Sequence, residues 1–480
     1  MNRQAIDRSR TAIGRVELSR PVRLALDSGV LQPGMSVLDY GCGRGDDVRL
    51  LKDLGYASQG WDPAHATTTT PEASDLVNLG FVVNVIEDPG ERVLALRAAW
   101  GLARRALVVG AQVVGDERGI DLRPFGDGFV TRAGTFQKYY RQTELREWLD
   151  AVLSVPSVAA APGIFVVFRE EEDRQRFLAS RHRRRAELRP RICDLLVDQH
   201  RAILEPLLAF FEDRGRLPES DEIPTSADLA AAFGSLRQAF AVVRRATGVE
   251  RWERITVERS EDFLIYLGLQ QFGRAPRLSD LPLDLRRDAR ALFGTFKSAS
   301  EQAVELLKTA GDQDLIDSAC RASQIGKQTP KALYIHRTAL ERLPTLLRVY
   351  EGCARGLIGE VESANIIKLN RWRPQVSYLC YPDFDREAHP PLARSIIVTL
   401  DKIDVSDRVY DSSINPPILH RKEDFVADDY PGREKFARLT RQEEKRGLYS
   451  DTDAIGTRLG WEKALANARV TIRGHRLFPG

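Results

Sequence analysis

The stretch Val37-Leu38-Asp39-Tyr40-Gly41-Cys42-Gly43-Arg44-Gly45, followed by Gly60-Trp61-Asp62-Pro63, decides the fold of this 480-residue chain. Val37 to Tyr40 is a short apolar run of strand type, and the glycines at 41, 43 and 45 open a tight turn. Asp46 to Leu54 has helical spacing, and Ala57 to Trp61 reads as a second strand that ends in an acid. Strand, glycine turn, helix and strand make the nucleotide-binding half of a doubly wound α/β sheet. Ligands of such sheets sit at the carboxyl ends of the strands.

The turn departs from a dinucleotide site. That site carries G-x-G-x-x-G, whereas here Asp39 stands two residues before the first of three alternating glycines. The pattern suits S-adenosylmethionine (SAM), whose methionine end offers an amino and a carboxylate group to a close backbone. Asp39, directly or through water, and the turn residues Gly41, Cys42, Gly43 and Gly45 are expected to hold that end, assisted by the positive N-terminus of the Asp46–Leu54 helix. Asp62 is expected to accept the ribose hydroxyls, the role an acid plays about 20 residues on in dinucleotide folds. Cys42 reads as a small residue in a crowded turn rather than as a nucleophile. Trp61 is placed either beside the adenine or in an ordinary sheet-to-helix contact. The expectation is a Rossmann-like class I methyltransferase sheet with SAM as cofactor.

Asp75–Ile86 is nearly continuously apolar, as a buried parallel strand is, and it ends Asn84-Val85-Ile86-Glu87. Asn84 and Glu87 are therefore expected to border the methyl acceptor, with Glu87 the candidate proton acceptor. Methyltransferases of exocyclic base nitrogens carry Asp/Asn-Pro-Pro-aromatic at that strand end, and this chain does not. Its Asn415-Pro416-Pro417-Ile418 lies far downstream, lacks the stacking aromatic and reads as a turn.

Alternation of strands and helices continues through Ala106–Val114, Thr143–Leu153 and Ile164–Phe168. From Arg169 the texture changes to a dense charge run and then to helical spacing, exemplified by Phe263, Leu264, Tyr266, Leu267 and Gln271. Past Gly359 the pattern is mixed, with strands expected at Val376–Tyr381 and Ser395–Leu400. The expected domains are residues 1–170, the SAM-binding domain; 171–330, a helical, partly basic substrate or partner module; and 331–480, a mixed α+β domain.

A net charge of +3 gives a weak global field, so a nucleic-acid substrate requires a local basic patch. Arg181, Arg183, Arg184 and Arg185, with Arg189 and Arg191, are the candidate phosphate contacts, set against a solvated helix face in which Glu170–Asp173 and Glu187 balance them. Lys138-Tyr139-Tyr140-Arg141 interleaves basic and aromatic residues and is a candidate base-stacking stretch, set against helix packing at the sheet edge. Asp383 and Asp385, with His389, Asp401 and His420, are the other cluster of catalytic types. They lack clear metal-ligand or nuclease spacing, so no metal is expected and a metal-dependent nuclease is the least favoured reading. The five cysteines have no zinc or disulfide spacing, which suits a reducing compartment, and no apolar run is long enough for a membrane helix. A cytoplasmic protein with no membrane partner is expected.

The segments Asp39–Asp47 (DYGCGRGDD), Gly60–Pro63 (GWDP), Val77–Glu87 (VNLGFVVNVIE), Tyr378–Asp385 (YLCYPDFD) and Asn415–Glu423 (NPPILHRKE) resemble the bacterial family of DNA phosphorothioation-associated methyltransferases, nearly end to end. The N-terminal segments are shared by class I methyltransferases at large, and the two C-terminal ones are the family-specific part. The resemblance implies a partner role beside the systems that replace a non-bridging phosphate oxygen of DNA with sulfur in defence against foreign DNA. It fixes no methyl acceptor; DNA is the expected substrate, and the proteins of such a system are the expected partners. A SAM-binding DNA adaptor without turnover is the alternative it leaves open.

Overall fold

A computed structural model describes residues 6, 8–12, 14–66, 70–117, 120–184 and 200–480. Strand β1 (Ser36–Tyr40) lies between β2 (Ala57–Trp61) and β3 (Ser74–Gly80), parallel to both, with Asp39 level with Gly60 on one side and Asn78 on the other. β4 (Ala103–Gly110) continues the parallel set beside β3. The small sheet β5 (Leu122–Phe125), β6 (Gly128–Thr131) and β7 (Phe136–Gln137) follows, an insertion that the sequence pattern did not announce. β8 (Val158–Ala161) and β9 (Ile164–Phe168) then form a hairpin whose second strand pairs antiparallel with β4. The six-stranded order is β2-β1-β3-β4-β9-β8, a Rossmann-like mixed α/β sheet. Because successive strands leave β1 in opposite directions, the crevice opens at the carboxyl ends of β1 and β3.

Helices α1 (Arg20–Asp27), α2 (Asp46–Asp53), α3 (Pro89–Leu102) and α4 (Gln142–Leu153) belong to this sheet. Leu38, Leu79, Leu96, Leu107, Leu149 and Phe165 meet in one buried cluster, and burying each such side chain contributes about 1.5–3 kcal/mol. The apolar run expected as one strand over Asp75–Ile86 breaks at Phe81. The chain there takes a positive φ of 60°, and Phe81 N–H closes onto Gly110 O (2.8 Å). Val83 and Ile86 remain buried after the break, so the run stays apolar although the strand has ended. Asn84 is thus on a turn beyond β3, not on the strand.

By its internal contacts the chain divides into two compact units. One holds residues 1–170, 313–343 and 351–480; the other holds 171–312 and 344–350. The C-terminal residues 351–480 therefore group with the N-terminal sheet instead of standing as a separate third body. Within that first unit, β10 (Lys327–Gln328), β11 (Ala332–His336), β12 (Ile366–Asn370), β13 (Gln375–Cys380), β14 (Arg394–Thr399) and β15 (Asp404–Val409) form an antiparallel sheet in sequence order. The expected strands at 376–381 and 395–400 are β13 and β14. Glu360 N–H donates to Ala160 O (2.8 Å), tying the chain before β12 to strand β8.

The second unit is helical, with long elements at Arg201–Arg214, Val249–Leu269 and Phe296–Ala310. Its interior stacks Phe211 on Phe240 (4.3 Å between ring centres) against Trp252. It also buries ion pairs, in which Asp288 receives both Arg214 (2.7 Å) and Arg216 (2.6 Å). Among the described residues no helix is long and apolar enough to cross a membrane.

Candidate functional site

A cavity of about 690 Å³ opens at the carboxyl ends of β1, β2 and β3. Its walls come from the glycine turn (Tyr40–Arg44), the end of β2 (Trp61–His65), the turn after β3 (Gly80–Val82 and Asn84–Ile86), α3 (Glu91, Leu94, Ala95, Ala98) and the N-terminal segment (Arg8, Thr11, Ala12, Arg15, Arg20). The volume lies within the range of small-molecule and cofactor sites.

The glycine turn and Asp62 form one hydrogen-bonded piece. Gly41 and Cys42 donate their N–H groups to Trp61 O (2.7 and 3.1 Å). Gly43 N–H donates to Asp62 Oδ2 (3.0 Å), and Ala64 and His65 donate theirs to Asp62 Oδ1 (2.8 and 3.0 Å). The turn's amides are thus committed to β2 rather than aimed into the cavity. Asp62, which lines the cavity, keeps part of its capacity, since an ionised carboxylate accepts about four hydrogen bonds. Beside it Trp61 packs on Tyr40, ring centres 4.5 Å apart, and the two present a shared aromatic wall.

Asp39 sits behind that wall. It is buried, accepts a hydrogen bond from Asn78 Nδ2 (2.8 Å) and is set back from the cavity wall. Burial, aided by nearby Asp47, pushes its carboxyl up to about 7. An unfolded aspartate titrates near 3.9, so the folded state holds the extra proton between about pH 4 and 7. Stability contributed by this group is lost as the pH rises through that window. Asp39→Asn is expected to flatten that slope, raising Tm at pH 8 and leaving it nearly unchanged at pH 4. Thermal melts across the pH range check it; parallel slopes in both proteins would show that Asp39 ionises without penalty.

Cys42 lines the cavity, and burial pushes its thiol up to about 12, with Asp39 and Asp62 adding to the effect. At neutral pH it is a thiol, as a small turn residue would be, and not a nucleophile.

Asn84 lies 1% exposed, its Nδ2 donating to Gln137 Oε1 (2.9 Å) and its O accepting Lys138 N–H (2.8 Å). Its Oδ1 is buried without a hydrogen-bond partner, an acceptor held in reserve at the cavity wall. Glu87 is placed differently from expectation: it is not among the cavity residues, and Arg8 Nε donates to its Oε2 (2.8 Å). That hydrogen bond holds the Glu87 carboxyl below its usual range, which makes it a weaker base. Arg8 also binds Glu91 at the cavity edge through both carboxylate oxygens.

The N-terminal segment was not anticipated as part of the site. It is fastened to the start of α2, where Asp46 Oδ2 accepts Arg15 N–H and Asp47 Oδ1 accepts Ser19 N–H, both at 2.7 Å. The adjacent acids Asp46-Asp47 were the available signal, since such acids at a helix start also cap neighbouring N–H groups. Among the described residues the Arg15 guanidinium has no ion pair, and it faces the cavity beside Arg44.

Of the candidate nucleic-acid residues, Arg181, Arg183 and Arg184 are described, and each contacts a neighbour. Within the helical unit Arg183 pairs with Asp213 (3.0 Å), and Arg184 pairs with Glu261 (2.8 Å) and donates its N–H to Asp262 (2.8 Å). Arg181 lies over the Phe177 ring, its guanidinium carbon 5.6 Å from the ring centre. Arg185, Arg189 and Arg191 lie outside the described residues. Lys138 is spent on Asp127 (3.0 Å) and Glu144 (2.8 Å), and Tyr140 is buried, so that stretch is packing.

The two C-terminal segments, remote in sequence from each other, interlock in the first unit. Lys422 Nζ donates to Phe384 O (2.6 Å) and Glu387 O (2.5 Å) and lies 2.9 Å from His475 Nε2. The His389 and His420 rings lie 4.6 Å apart, His389 bound to Glu443 (2.7 Å) and His420 to Ile455 O (2.8 Å). Asp385 accepts from Tyr430 Oη (2.9 Å), and Asp401 is exposed on the turn after β14. Asp383 makes only a loose pair with Arg386 (3.8 Å). The carboxylates therefore do not converge with the histidines. Among the described residues no group of three or more His, Cys, Asp or Glu is arranged to hold a metal ion.

No family model matches the chain, and no curated protein matches it. Among solved structures it is similar to an amino pentose methyltransferase of calicheamicin biosynthesis from Micromonospora echinaspora, with SAM bound, at 19% identity over 34% of this chain and 94% of that one, TM-score 0.25. It is similar to the 1,6-didemethyltoxoflavin-N1-methyltransferase of Burkholderia thailandensis, with S-adenosylhomocysteine bound, at 16% identity over 34% and 78% of the two chains, TM-score 0.25. A third is the magnesium protoporphyrin IX methyltransferase of Synechocystis PCC 6803, at 14% identity over 34% and 94%, TM-score 0.24.

Proposed function

We propose that this chain is a SAM-dependent methyltransferase. The observation that carries the reading is the cavity at the carboxyl ends of β1 to β3, which Gly41, Asp62 and Asn84 line together. The residues present fit the cofactor. Asp62 offers a carboxylate to a ribose, Trp61 and Tyr40 an aromatic wall, Leu94, Ala95 and Ala98 an apolar one, and Arg15 a cation to a carboxylate. Asp39 and Gly41, Cys42, Gly43 and Gly45 support the methionine end indirectly, by shaping the turn that carries it.

SAM, when bound, supplies a methyl group on a sulfonium. The chain's own task is to position an acceptor and to exclude water, effects that together lower a transfer barrier by up to about 7–11 kcal/mol. Asn84 Oδ1 is placed to accept a hydrogen bond from the acceptor and orient it. The resemblance to the phosphorothioation-associated family supports DNA as the acceptor, with the proteins of that system as partners. Asp62→Ala is expected to weaken SAM binding by about 1–3 kcal/mol, the scale of a lost charge-assisted hydrogen bond, as read by calorimetric titration. Transfer of labelled methyl to DNA with and without phosphorothioate linkages, with tRNA and cell extract in parallel, tests the acceptor. Failure of the folded protein to bind SAM would sink the reading.

One observation favours a second reading, a SAM-binding DNA adaptor. Glu87, the carboxylate expected to accept a proton, is committed to Arg8, and Glu91 shares that partner. SAM and DNA binding with no label on any acceptor would select the adaptor.

A further inference from the structure

We propose that a second cavity in the same unit, beside the turn Lys422–Asp424, is a binding site for a phosphate group, held by Lys327, Arg342, Arg421 and Arg433. The proposal is independent of the methyl-transfer reading. The cavity measures about 650 Å³, and its cations converge from separate places in the chain: β10, the turn before residue 343, and the stretch 421–433.

Arg421 holds Glu444 (2.7 Å) at the cavity edge, whereas Lys327 is only loosely held. Lys327 Nζ is 3.4 Å from His420 O and 4.0 Å from Asp424, too far for a strong ion pair. Arg433 Nε and Glu423 Oε2 are buried without hydrogen-bond partners, and both residues line the cavity. Buried polar atoms left this way call for a ligand or water. The acids that balance the arginines stand toward solvent. Asp428, 3.3 Å from Arg433, has 96% of its side chain exposed, and Asp429, 2.5 Å from Arg342, has 68%. Such surface pairs are worth about 0–1 kcal/mol, so an anion inside the cavity competes with them on good terms.

The chemistry selects a multiply charged oxyanion. One arginine fork satisfies a carboxylate, whereas a phosphate presents several oxygens to more than one fork and to a lysine. Four basic side chains line the space, against the acidic Glu423, Asp424 and Asp428. Burial pushes the Glu423 carboxyl above its ordinary range, which lessens its repulsion of an anion. Arg421 and Glu423 belong to Asn415–Glu423, outside the lining of the cavity at β1 to β3.

The phosphate belongs either to a small phosphorylated metabolite or to a nucleic-acid backbone, and one experiment separates them. The full chain is titrated calorimetrically with inorganic phosphate and with adenosine monophosphate, and by fluorescence anisotropy with a labelled DNA duplex. Each is repeated on the Lys327→Gln/Arg433→Gln protein and on Lys327→Arg. The expected result is binding of phosphate and the nucleotide, weakened by about tenfold or more in the double variant and largely kept in Lys327→Arg. Duplex binding that phosphate competes away and the double variant loses assigns the backbone. Its absence assigns the metabolite. Thermal melts and SAM titration of each variant report folding independently, and Lys327→Gln alone serves if the double variant fails to fold. No binding of any of the three probes, or equal binding by the variants, overturns the proposal.

Discussion

Gly41→Ala is expected to abolish measurable SAM binding and to destabilise the first unit by about 2–5 kcal/mol. Gly41 has a φ of 89°, and a Cβ there would come within 2.4 Å of Val82 Cγ2. The left-handed backbone costs a non-glycine residue about 1–2 kcal/mol, and overpacking adds about 1–3 kcal/mol. The turn relieves the clash by shifting, and the shift breaks its hydrogen bonds to Trp61 O and through Gly43 to Asp62. Two controls sharpen the test. Gly45 also has a positive φ, 78°, but nothing lies within 4 Å of its missing Cβ, so Gly45→Ala should bear the strain alone and keep most of its SAM affinity. Val82→Ala removes the clashing methyl, so Gly41→Ala/Val82→Ala should regain part of the lost binding. Calorimetric SAM titration with thermal melts of all four proteins decides it. Equal losses in Gly41→Ala and Gly45→Ala would show that packing against Val82 is not what the turn depends on.

Glu443→Ala is expected to cost about 3–5 kcal/mol of stability, the scale of removing one partner from a buried charged network. Glu443 is fully buried, and its two oxygens separately accept His389 Nε2 and Tyr449 Oη, both at 2.7 Å. Truncation strands both donors away from water and leaves a void beside Trp461, whose ring packs on those of His389, His420 and Tyr449. With whole domains stable by only about 5–15 kcal/mol, the loss is a large fraction of the total. A fall in Tm of about 4–7 °C is expected by circular dichroism. Glu443→Gln keeps an amide oxygen for one donor and should lose markedly less. A Tm of Glu443→Ala within a degree or two of the parent would show that the network is loosely held.

How far the sequence could be read depends on how local the cause was. β1, the turn, α2 and β2 were legible because each follows from neighbours in the chain: an apolar strand, glycines where φ is positive, helical spacing, a strand-terminal acid. Asn84 was placed near the cavity for a reason only half right, since the strand carrying it ends at Gly80 and the chain turns at Phe81. An apolar run records burial, and burial continues through the turn, so periodicity does not mark the break. The C-terminal segments 378–385 and 415–423 were singled out as strings. That they lock together through Lys422, and that one of them borders a basic cavity, was beyond any local pattern.

The sequence by itself determined the Rossmann-like domain of this protein and brought Gly41, Gly43 and Asp62 to its crevice, because backbone conformation there is set by short-range constraints. The tertiary structure decided what the charged side chains do. Glu87 meets Arg8 from 79 residues away, Arg184 meets Glu261 from 77, and His389 meets Glu443 from 54. A charge in a sequence is only a capacity to pair. Whether it is left to act on a ligand depends on which opposite charge the fold brings within a few ångströms, and at these separations the chain carries no local signal of that partner.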